Sequence, residues 1–545
     1  MAMTELEREG QTLSDPGSTW QKAMAAARLA RDGKAVAKLE GKQIALFQTP
    51  TGVMACNNRC PHEGFPLREG TLDGACVLTC NWHNWKFDLA TGANLYGGDR
   101  LRTYPTRIVD GEIWVDVADP PAAELRTRAI ENLRAAFDDE DYDRMAREIA
   151  RLAKAEGDPV SAIAAAIHWS HDRLQYGTTH AYAGAEAWLR LHDGSNEAET
   201  RLIAILEALG YIGFEVAHEP AYPYAGAAKP WDEAAFIAAV EAEDEAEAIG
   251  RLRGALAAGL HFAELERALA SAALAHYAGF GHSVIYLGHC GRLIQRLGSD
   301  VEAPLLLALV RSIIYAPRED RIPEFRAYAA ALRAWPNASG APGNGAVSAA
   351  QFRGHSVETT LTMLVGAAAH ASPQHLYTAL LEAAAANLLT FDTDWDQRTD
   401  SSIAQNVNWL DFSHGITFAN AARAHCERFP ELWPSALMQM ACFVARNTGF
   451  TVDGDMLADW QVGDKEAFYA ASLRRIADHG EDRYILAVHM LKTFLAGREE
   501  VRSGLPPRAE AIVLAALNRF LNASPKRKHV RRTAQQAMSF VALED

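Results

Sequence analysis

Two short runs of cysteine and histidine carry the clearest chemistry in this sequence. Cys60 and His62 stand two positions apart, and seventeen residues separate His62 from a second run that begins at Cys80 and ends at His83. Two thiolates and two imidazoles on two loops can hold a [2Fe-2S] cluster, with the thiolates on one iron and the imidazoles on the other. The same four donors can also hold a structural zinc ion.

The surrounding segment favours the cluster over zinc. Short apolar runs such as Ile44–Phe47 and Val77–Cys80 alternate with glycine-containing turns, which predicts that both runs lie on loops of β-hairpins. A Trp-Lys-Phe-Asp run at 85–88 and a Thr-Gly turn at 91–92 follow the second run. This arrangement resembles the Rieske family, whose second loop commonly runs Cys-Pro-Trp-His-Gly-Trp. The resemblance covers roughly residues 20–118 and implies a Rieske-type [2Fe-2S] cluster.

The resemblance is to the ferredoxin and oxygenase branch of that family. Rieske proteins of respiratory complexes carry an extra cysteine in each loop, joined in a disulfide, and a serine close to the cluster. Phe65, Trp82 and Trp85 occupy those places here, and Asn81 and Asn84 stand where proline and glycine are common. The resemblance therefore implies electron transfer at a potential toward the low end of the Rieske range.

A second set of histidines recurs in a short phrase later in the chain. Gly-His-Ser-Val contains both His282 and His355, a similar Ser-His-Gly-Ile contains His414, and Thr-His-Ala contains His180. Each phrase precedes an alanine- and leucine-rich stretch, and a second apolar stretch follows roughly twenty residues later, which predicts stacked helical hairpins. Equivalent repeat positions would bring the four histidines to one cavity, where we expect catalysis and an additional iron. Helix capping and buried hydrogen bonds are the alternatives for any one of them.

Two phrases in this region, 281–288 and 414–419, resemble questin-oxidase-like helical proteins, which open rings of quinone-type substrates without a bound flavin. The region does not resemble the catalytic domain of classical Rieske oxygenases. Their iron site needs an acidic residue before two histidines spaced like His370 and His375, and Ala367 stands in its place. Aromatic or quinone-like compounds are the substrates that this resemblance implies.

The predicted fold is an α+β multidomain protein, with a small antiparallel β Rieske domain followed by a large all-α region of stacked helical hairpins. We expect a flexible tail at 1–16 and the Rieske domain at 17–120. The helical region then runs over 121–335 and 351–545, around a linker or loop at 336–350 that is rich in glycine and proline. A short helix capped by Ser18, with Trp20 and Leu29 facing inward, is predicted to open the Rieske domain.

Composition excludes several classes of function. The chain has 545 residues and a net charge of −16, which argues against nucleic acid as a partner because phosphate-binding faces need clustered lysine and arginine. No stretch approaches the roughly 20 apolar residues of a membrane span, and the polar start of the chain is unlike a secretory signal. Seven cysteines in a chain of this length do not indicate a disulfide scaffold. The sequence predicts a cytoplasmic protein with no membrane partner.

The leading functional prediction is an oxidoreductase whose cluster delivers electrons to oxygen-dependent chemistry on a small organic substrate, in a histidine-lined helical cavity. The chain has no convincing dinucleotide-binding fingerprint, so a separate flavoprotein reductase is the expected electron donor. A homo-oligomer is compatible with the sequence. The alternative is an electron carrier or redox sensor whose helical region is a protein-docking scaffold.

Overall fold

The computed structural model describes residues 19–96, 98–336, 346–523, 526 and 528–542. It divides into two compact units, residues 1–157 and residues 158–545. The predicted tail at 1–16 and most of the predicted linker at 336–350 lie outside the described residues. The predicted order of a small antiparallel β domain followed by a large helical region is confirmed.

The first unit contains three small antiparallel sheets. Their strands are β1 (Trp20–Ala25), β2 (Lys34–Leu39), β3 (Lys42–Thr49), β4 (Gly52–Asn57), β5 (Thr71–Leu72), β6 (Val77–Thr79), β7 (Lys86–Asp88), β8 (Thr103–Tyr104), β9 (Thr106–Val109) and β10 (Glu112–Asp116). The strand orders are β1-β10-β9, β2-β3-β4-β8 and β5-β6-β7. Asp110 and Gly111 both have positive φ in the tight turn between β9 and β10, which is the conformation that an Asp-Gly pair favours.

The predicted opening helix is only partly correct. Trp20–Ala25 is a strand that pairs with β10, and the helix α1 begins later and covers Ala26–Asp32. Pairing with the antiparallel β10 supplies the hydrogen bonds of this segment, so tertiary context overrides its helix-forming composition.

Strand β3 separates two hydrophobic cores because its alternate side chains point to opposite faces. Ile44 and Leu46 pack with Ile113 in one core. Phe47 packs in the other core, which also contains the buried Cys60 and Cys80, together with Phe87 and others. The sheet therefore carries both cysteines of the predicted cluster on a packed apolar base.

Two helices, α2 (Ala122–Asp138) and α3 (Tyr142–Lys154), lie in the first compact unit, whereas the sequence analysis assigned them to the start of the helical region. A buried carboxylate with two arginine partners connects α3 to the β domain. Asp99 is fully buried, and it accepts hydrogen bonds from Arg147 (2.9 Å) and from Arg151. Burial by itself would raise the pKa of Asp99, but these hydrogen bonds and positive charges hold it below its usual range.

The second unit is all helical in its described residues. Its helices are α4 (Ser161–Ser170), α5 (His180–Asp193), α6 (Ala198–Val216), α7 (Glu233–Glu241), α8 (Glu245–Ala257), α9 (Phe262–Leu274), α10 (His282–Leu297), α11 (Glu302–Ile314), α12 (Tyr328–Arg333), α13 (Val357–Ala368), α14 (Pro373–Leu389), α15 (Asp394–Gln397), α16 (Trp409–Arg428), α17 (Trp433–Thr448), α18 (Leu457–Trp460), α19 (Lys465–Ala477), α20 (Tyr484–Arg502), α21 (Pro507–Leu521) and α22 (Val530–Val541).

Four of these helices form a closed ring at the centre of the unit. Helix α5 packs against α10, α10 against α16, α16 against α20, and α20 against α5. Each ring helix also packs against the helix that follows it, namely α6, α11, α17 and α21. Stacked helical hairpins are therefore present, with the first helix of each pair on the inside. No helix in the described parts of the chain is long and apolar enough to cross a membrane.

The Asp99→Asn substitution should destabilise the first unit by about 3 kcal/mol, because it leaves two arginines beside a buried group that no longer carries charge. The midpoint of denaturant unfolding measures this loss. Asp119→Asn is the matched control, since Asp119 also contacts two cations but is 61% exposed. We expect less than about 1 kcal/mol there. Equal losses in the two variants would contradict the assigned role of Asp99.

Candidate functional site

The two predicted cluster loops lie side by side and have the same backbone pattern. The Cys60 amide donates to the carbonyl of Phe65 (2.9 Å), and the Cys80 amide donates to the carbonyl of Trp85 (2.8 Å). Four residues after each cysteine, Gly64 and Asn84 adopt positive φ and donate their amides to the cysteine carbonyls. Each loop is thus a tight turn that projects its cysteine and histidine together.

The four donor side chains divide into a buried pair and an accessible pair. Cys60 is 3% exposed and Cys80 is 2% exposed, whereas the side chain of His62 is 25% exposed and that of His83 is 41% exposed. The two imidazole rings meet edge to face, with centroids 4.8 Å apart. The thiols therefore face the core and the imidazoles face solvent.

The cysteines sit in a setting that suits bound metal better than free thiols. Burial raises the pKa of Cys60 to about 11, and the nearby Cys80 also raises it. The amides of His62 and Glu63 donate to the Cys60 sulfur and act in the opposite direction, as they would for a metal-bound thiolate. The Nδ1 atom of His62 is buried and has no hydrogen-bond partner in the described structure.

Aromatic rings cover the loops. Trp85 stacks on His62 with ring centroids 4.4 Å apart, and Phe65 stacks on Trp82 at 3.9 Å. Trp82 is nevertheless 58% exposed. An aromatic surface next to the accessible His83 is thus open to solvent.

The second candidate site lies in the helical ring, where four histidines converge. His282 Nε2 lies 3.0 Å from His180 Nε2 and 3.0 Å from His414 Nε2, and His414 Nε2 lies 3.3 Å from His489 Nε2. Each of the ring helices α5, α10, α16 and α20 supplies one of them, in its first two turns. We call these four residues the histidine ring.

Hydrogen bonds on the far side of the imidazoles fix which nitrogen carries the proton. His282 Nδ1 donates to the Gly279 carbonyl, and His489 Nδ1 donates to the Ile485 carbonyl (2.7 Å). A carbonyl can only accept, so both residues carry hydrogen on Nδ1. His414 is likewise bonded to the Leu410 carbonyl. Burial is the largest cause that lowers the pKa of each of these histidines, to about 4 for His282, and keeps them neutral.

The result is a set of bare nitrogen lone pairs that face one another. In neutral imidazoles with hydrogen on Nδ1, the Nε2 atoms of His282, His414 and His489 have no proton to share. Acceptors about 3 Å apart repel unless a cation lies among them. Outer hydrogen bonds from Nδ1 to carbonyls are how proteins orient histidines that bind metals through Nε2. The donor set therefore fits a metal ion.

A lysine completes the polar surroundings of the ring. Lys492 lies one helical turn after His489 on α20, is 2% exposed, and has no hydrogen-bond partner for its Nζ in the described structure. Burial lowers the pKa of its amine to about 7. On the other side of the ring, Tyr286 Oη lies 3.1 Å from His180 Nδ1.

A strained loop sets the position of His282. Gly279, Phe280 and Gly281 all have positive φ, and a Cβ on Gly281 would lie 2.5 Å from the Phe418 ring. The carboxylate of Glu319 accepts the Phe280 amide at 3.3 Å. Glu319 thus holds the turn whose Gly279 carbonyl orients the imidazole.

The comparisons with known proteins concern the first unit. The family model of the Rieske [2Fe-2S] domain matches residues 19–105. A 3-phenylpropionate/cinnamic acid dioxygenase ferredoxin subunit from Photorhabdus laumondii is 35% identical over 78 residues, which are 14% of this chain and 74% of the subunit. The chain belongs to the Rieske [2Fe-2S] family.

Two other relatives of the Rieske domain differ in size. The ferredoxin component of the naphthalene 1,2-dioxygenase system from Pseudomonas putida is 27% identical over 101 residues, which are 18% of this chain and 96% of that protein. A 4beta-methylsterol monooxygenase from Methylococcus capsulatus is 32% identical over 129 residues, 22% of this chain and 35% of that protein. This chain thus spans only about a third of the monooxygenase.

The Rieske assignment decides between the two interpretations of the first site. A [2Fe-2S] cluster is the cofactor of this domain, and not zinc. The residues present fit the cluster, because two buried thiols and two accessible imidazoles match the split of its ligands between two irons. Cys60, His62, Cys80 and His83 are the residues that would hold it.

The helical candidates from the sequence have mixed outcomes in the structure. His180, His282 and His414 lie together in the histidine ring. His355 does not join them: it is exposed and precedes α13, because Ser356 caps that helix by accepting the amide of Thr359. The fourth member, His489, lies outside the repeated phrase. The sequence feature that could have identified His489 is its three-residue spacing from Lys492, which places two polar side chains on one face of an apolar helix.

The Cys80→Ala substitution should abolish cluster binding, because one iron loses a thiolate ligand. Visible absorption and the electron paramagnetic resonance (EPR) signal of the reduced protein measure the loss. Cys76→Ser is the matched control, since Cys76 lies four residues earlier and outside the ligand set. A cluster retained in Cys80→Ala, or lost in Cys76→Ser, would contradict the ligand assignment.

The pH dependence of stability should reveal the buried carboxyl behind His282. Burial raises the pKa of Glu319 from 4.5 to about 7, so the folded chain holds a proton that the unfolded chain releases between these values. The stabilisation is complete below pH 4.5 and is lost as the pH rises through 7. Glu319→Gln stays neutral at every pH. Its free energy of unfolding should match that of wild type near pH 5 and exceed it by about 1–2 kcal/mol near pH 8.

The exposed Glu324 supplies the control for that experiment, as Glu324→Gln. The difference between this variant and wild type should be the same at both pH values. A Glu319→Gln variant whose stability tracks wild type over the whole range would contradict the buried position of the carboxyl.

Proposed function

We propose that this protein is an oxidoreductase that uses single electrons from its Rieske domain for oxygen-dependent modification of an organic substrate at the histidine ring. The observation that carries the proposal is the convergence of four imidazole Nε2 atoms, at 3.0–3.3 Å, from four helices of one ring. In the described part of the second unit, His180, His414 and His489 are the set of three ligands close enough together to hold one ion, and His282 adjoins two of them.

Iron is the metal that we propose for the histidine ring, given the electron-donating cluster in the same chain. Four imidazole nitrogens suit iron, copper, nickel or zinc, so the donor set alone leaves the metal open. A one-electron centre in the same chain is useful only if the second metal also changes its oxidation state, which excludes zinc. Four protein ligands also leave coordination positions for oxygen or substrate, as non-haem iron oxygenases require.

The atoms and electrons of the proposed reaction balance when a separate reductase supplies the electrons through the cluster. Insertion of one atom of O2 into a substrate C–H bond consumes two electrons and two protons, and the second oxygen atom leaves as water. When bound, the [2Fe-2S] cluster accepts and donates electrons one at a time. A separate flavoprotein reductase is the proposed source, since it can divide a hydride into single electrons.

The chain's own residues have distinct roles in this proposal. Tyr286 and the carbonyls of Gly279 and Ile485 orient the imidazoles, and burial keeps those imidazoles neutral and able to bind metal. Lys492 offers a hydrogen-bond donor with no partner inside the protein, available to oxygen or substrate. His180, His282 and His414 keep partial exposure, so a small molecule can reach the ring.

An electron carrier is the second candidate, and the exposure of the cluster loops favours it. Trp82 and His83 lie at the surface, where another protein can approach them. In this case the relatives of interest are the ferredoxin components, whose whole length is close to that of the Rieske domain. The metal content of the second unit distinguishes the two candidates.

Iron analysis with EPR spectroscopy tests the proposal on full-length protein purified without oxygen. Wild type should contain more iron than the two atoms of the cluster, and His282→Ala/His414→Ala should lose the excess while it keeps the reduced Rieske signal. His355→Ala and His370→Ala, both exposed, should keep all iron. Two irons per chain in wild type would contradict the proposal and favour the carrier.

A further inference from the structure

We infer that a cleft in the first unit binds a small organic anion beside the cluster, and that this anion lowers the reduction potential of the cluster. The cleft has a volume of about 920 Å³, within the range of ligand pockets. The first cluster loop, with Cys60 and His62, lines one part of it. Helices α2 and α3 line another part.

The charge of the cleft indicates the chemistry of its ligand. Its lining contains eight lysine and arginine side chains and three carboxylates, although the whole chain carries a net charge of −16. The lining cations are Lys42, Arg59, Arg100, Arg102, Arg128, Arg147, Arg151 and Lys154. A cavity that collects positive charge in an acidic protein concentrates anions.

Several of these cations already have partners inside the protein. Asp119 lies 3.2 Å from Lys42 Nζ and also pairs with Arg102, while Asp99 holds Arg147 and Arg151. Arg128 pairs with Glu124. These pairs build the walls of the cleft and leave little charge for a ligand.

Three cations remain available. Arg59, Arg100 and Lys154 are exposed, and no carboxylate in the described structure pairs with any of them. Arg100 donates to the Thr91 carbonyl at 2.9 Å, which fixes part of its guanidinium and leaves other donors free. Arginine forks bind carboxylates and phosphates in two-pronged fashion. Two arginines and one lysine in one cleft fit a molecule with two or more carboxylate or phosphate groups.

The concave shape favours a small molecule over the surface of an acidic protein. A cleft of this volume can enclose most of a small ligand, whereas protein partners meet flatter surfaces. Its position gives the ligand an effect on the cluster. Negative charge next to Cys60 and His62 makes the addition of an electron less favourable, so the bound anion should lower the potential.

The test uses the full-length protein with inorganic phosphate and with succinate as probes, against chloride at equal ionic strength. Calorimetry measures binding, and a redox titration followed by EPR measures the potential. We expect saturable binding of at least one probe and a lower potential in its presence. Binding of only one probe identifies the ligand as a phosphate or a carboxylate compound.

Arg59→Gln/Arg100→Gln should weaken binding about tenfold or more, a change of about 1.4 kcal/mol, and should remove the shift in potential. Arg28→Gln/Arg31→Gln on α1 is the control, because it removes the same charge from the same unit outside the cleft. Its affinity should stay within about twofold of wild type.

Three outcomes would overturn the inference. They are the absence of saturable binding by both probes, equal weakening in both double variants, and unchanged binding in Arg59→Gln/Arg100→Gln with slower reduction by a flavoprotein. The last outcome would assign these cations to an acidic protein partner. None of these measurements depends on the histidine ring, so they separate this inference from the proposed function.

Discussion

The arrangement of the second unit depends on imidazole nitrogens that repel one another unless a cation lies among them. His414 Nε2 is held 3.0 Å from His282 Nε2 and 3.3 Å from His489 Nε2 by helices that pack in a closed ring. Unfavourable local chemistry persists only where the surrounding structure determines it. Here the carbonyls of Gly279 and Ile485 fix the rings from outside, and the helix packing prevents their separation.

The contacts one layer away from the ring serve the same constraint. His289, two turns after His282 on α10, donates to the buried Glu186 of α5, which also accepts from Arg292. On α16, His425 pairs with the buried Glu266. Buried hydrogen bonds to charged groups fix helix register because a displacement would leave a charged group without its partner. They tie α10 to α5 and α16 to α9.

The residues predicted for the first site lie together in the structure because the information that positions them is local. Cys60 and His62 lie on one tight loop, and the second loop repeats the pattern. The histidine ring depends on tertiary packing, and here the prediction is less complete. The repeated phrase leads to His180, His282 and His414, but it also contains His355, which a helix cap keeps at the surface. His489 has no such phrase, and only the closure of α20 against α5 and α16 brings it to the site.

The same distinction explains the error in the first predicted element and the difference between the predicted domains and the compact units of the structure. Residues 20–25 have the composition of a helix, and only the distant partner β10 makes them a strand. The helices after Pro121 look like the start of the helical region, but the buried Asp99 binds them to the β domain. A single buried carboxylate between loops and helices is not visible as a pattern, because each partner by itself is an ordinary charged residue.

The two sites differ in exposure, because Trp82 and His83 of the cluster loops are exposed whereas each histidine of the ring is buried or partly buried. An electron donor must be reached by another protein, and the cluster loops present Trp82 and His83 to solvent. A site that handles oxygen benefits from exclusion of water, and His489 and Lys492 are almost fully buried. Placing both on one chain gives the donor a high effective concentration at the acceptor without a permanent interface between separate proteins. Under the proposed function this arrangement requires a redox-active acceptor, so the metal content of the histidine ring would decide between an oxygen-dependent enzyme and an electron carrier.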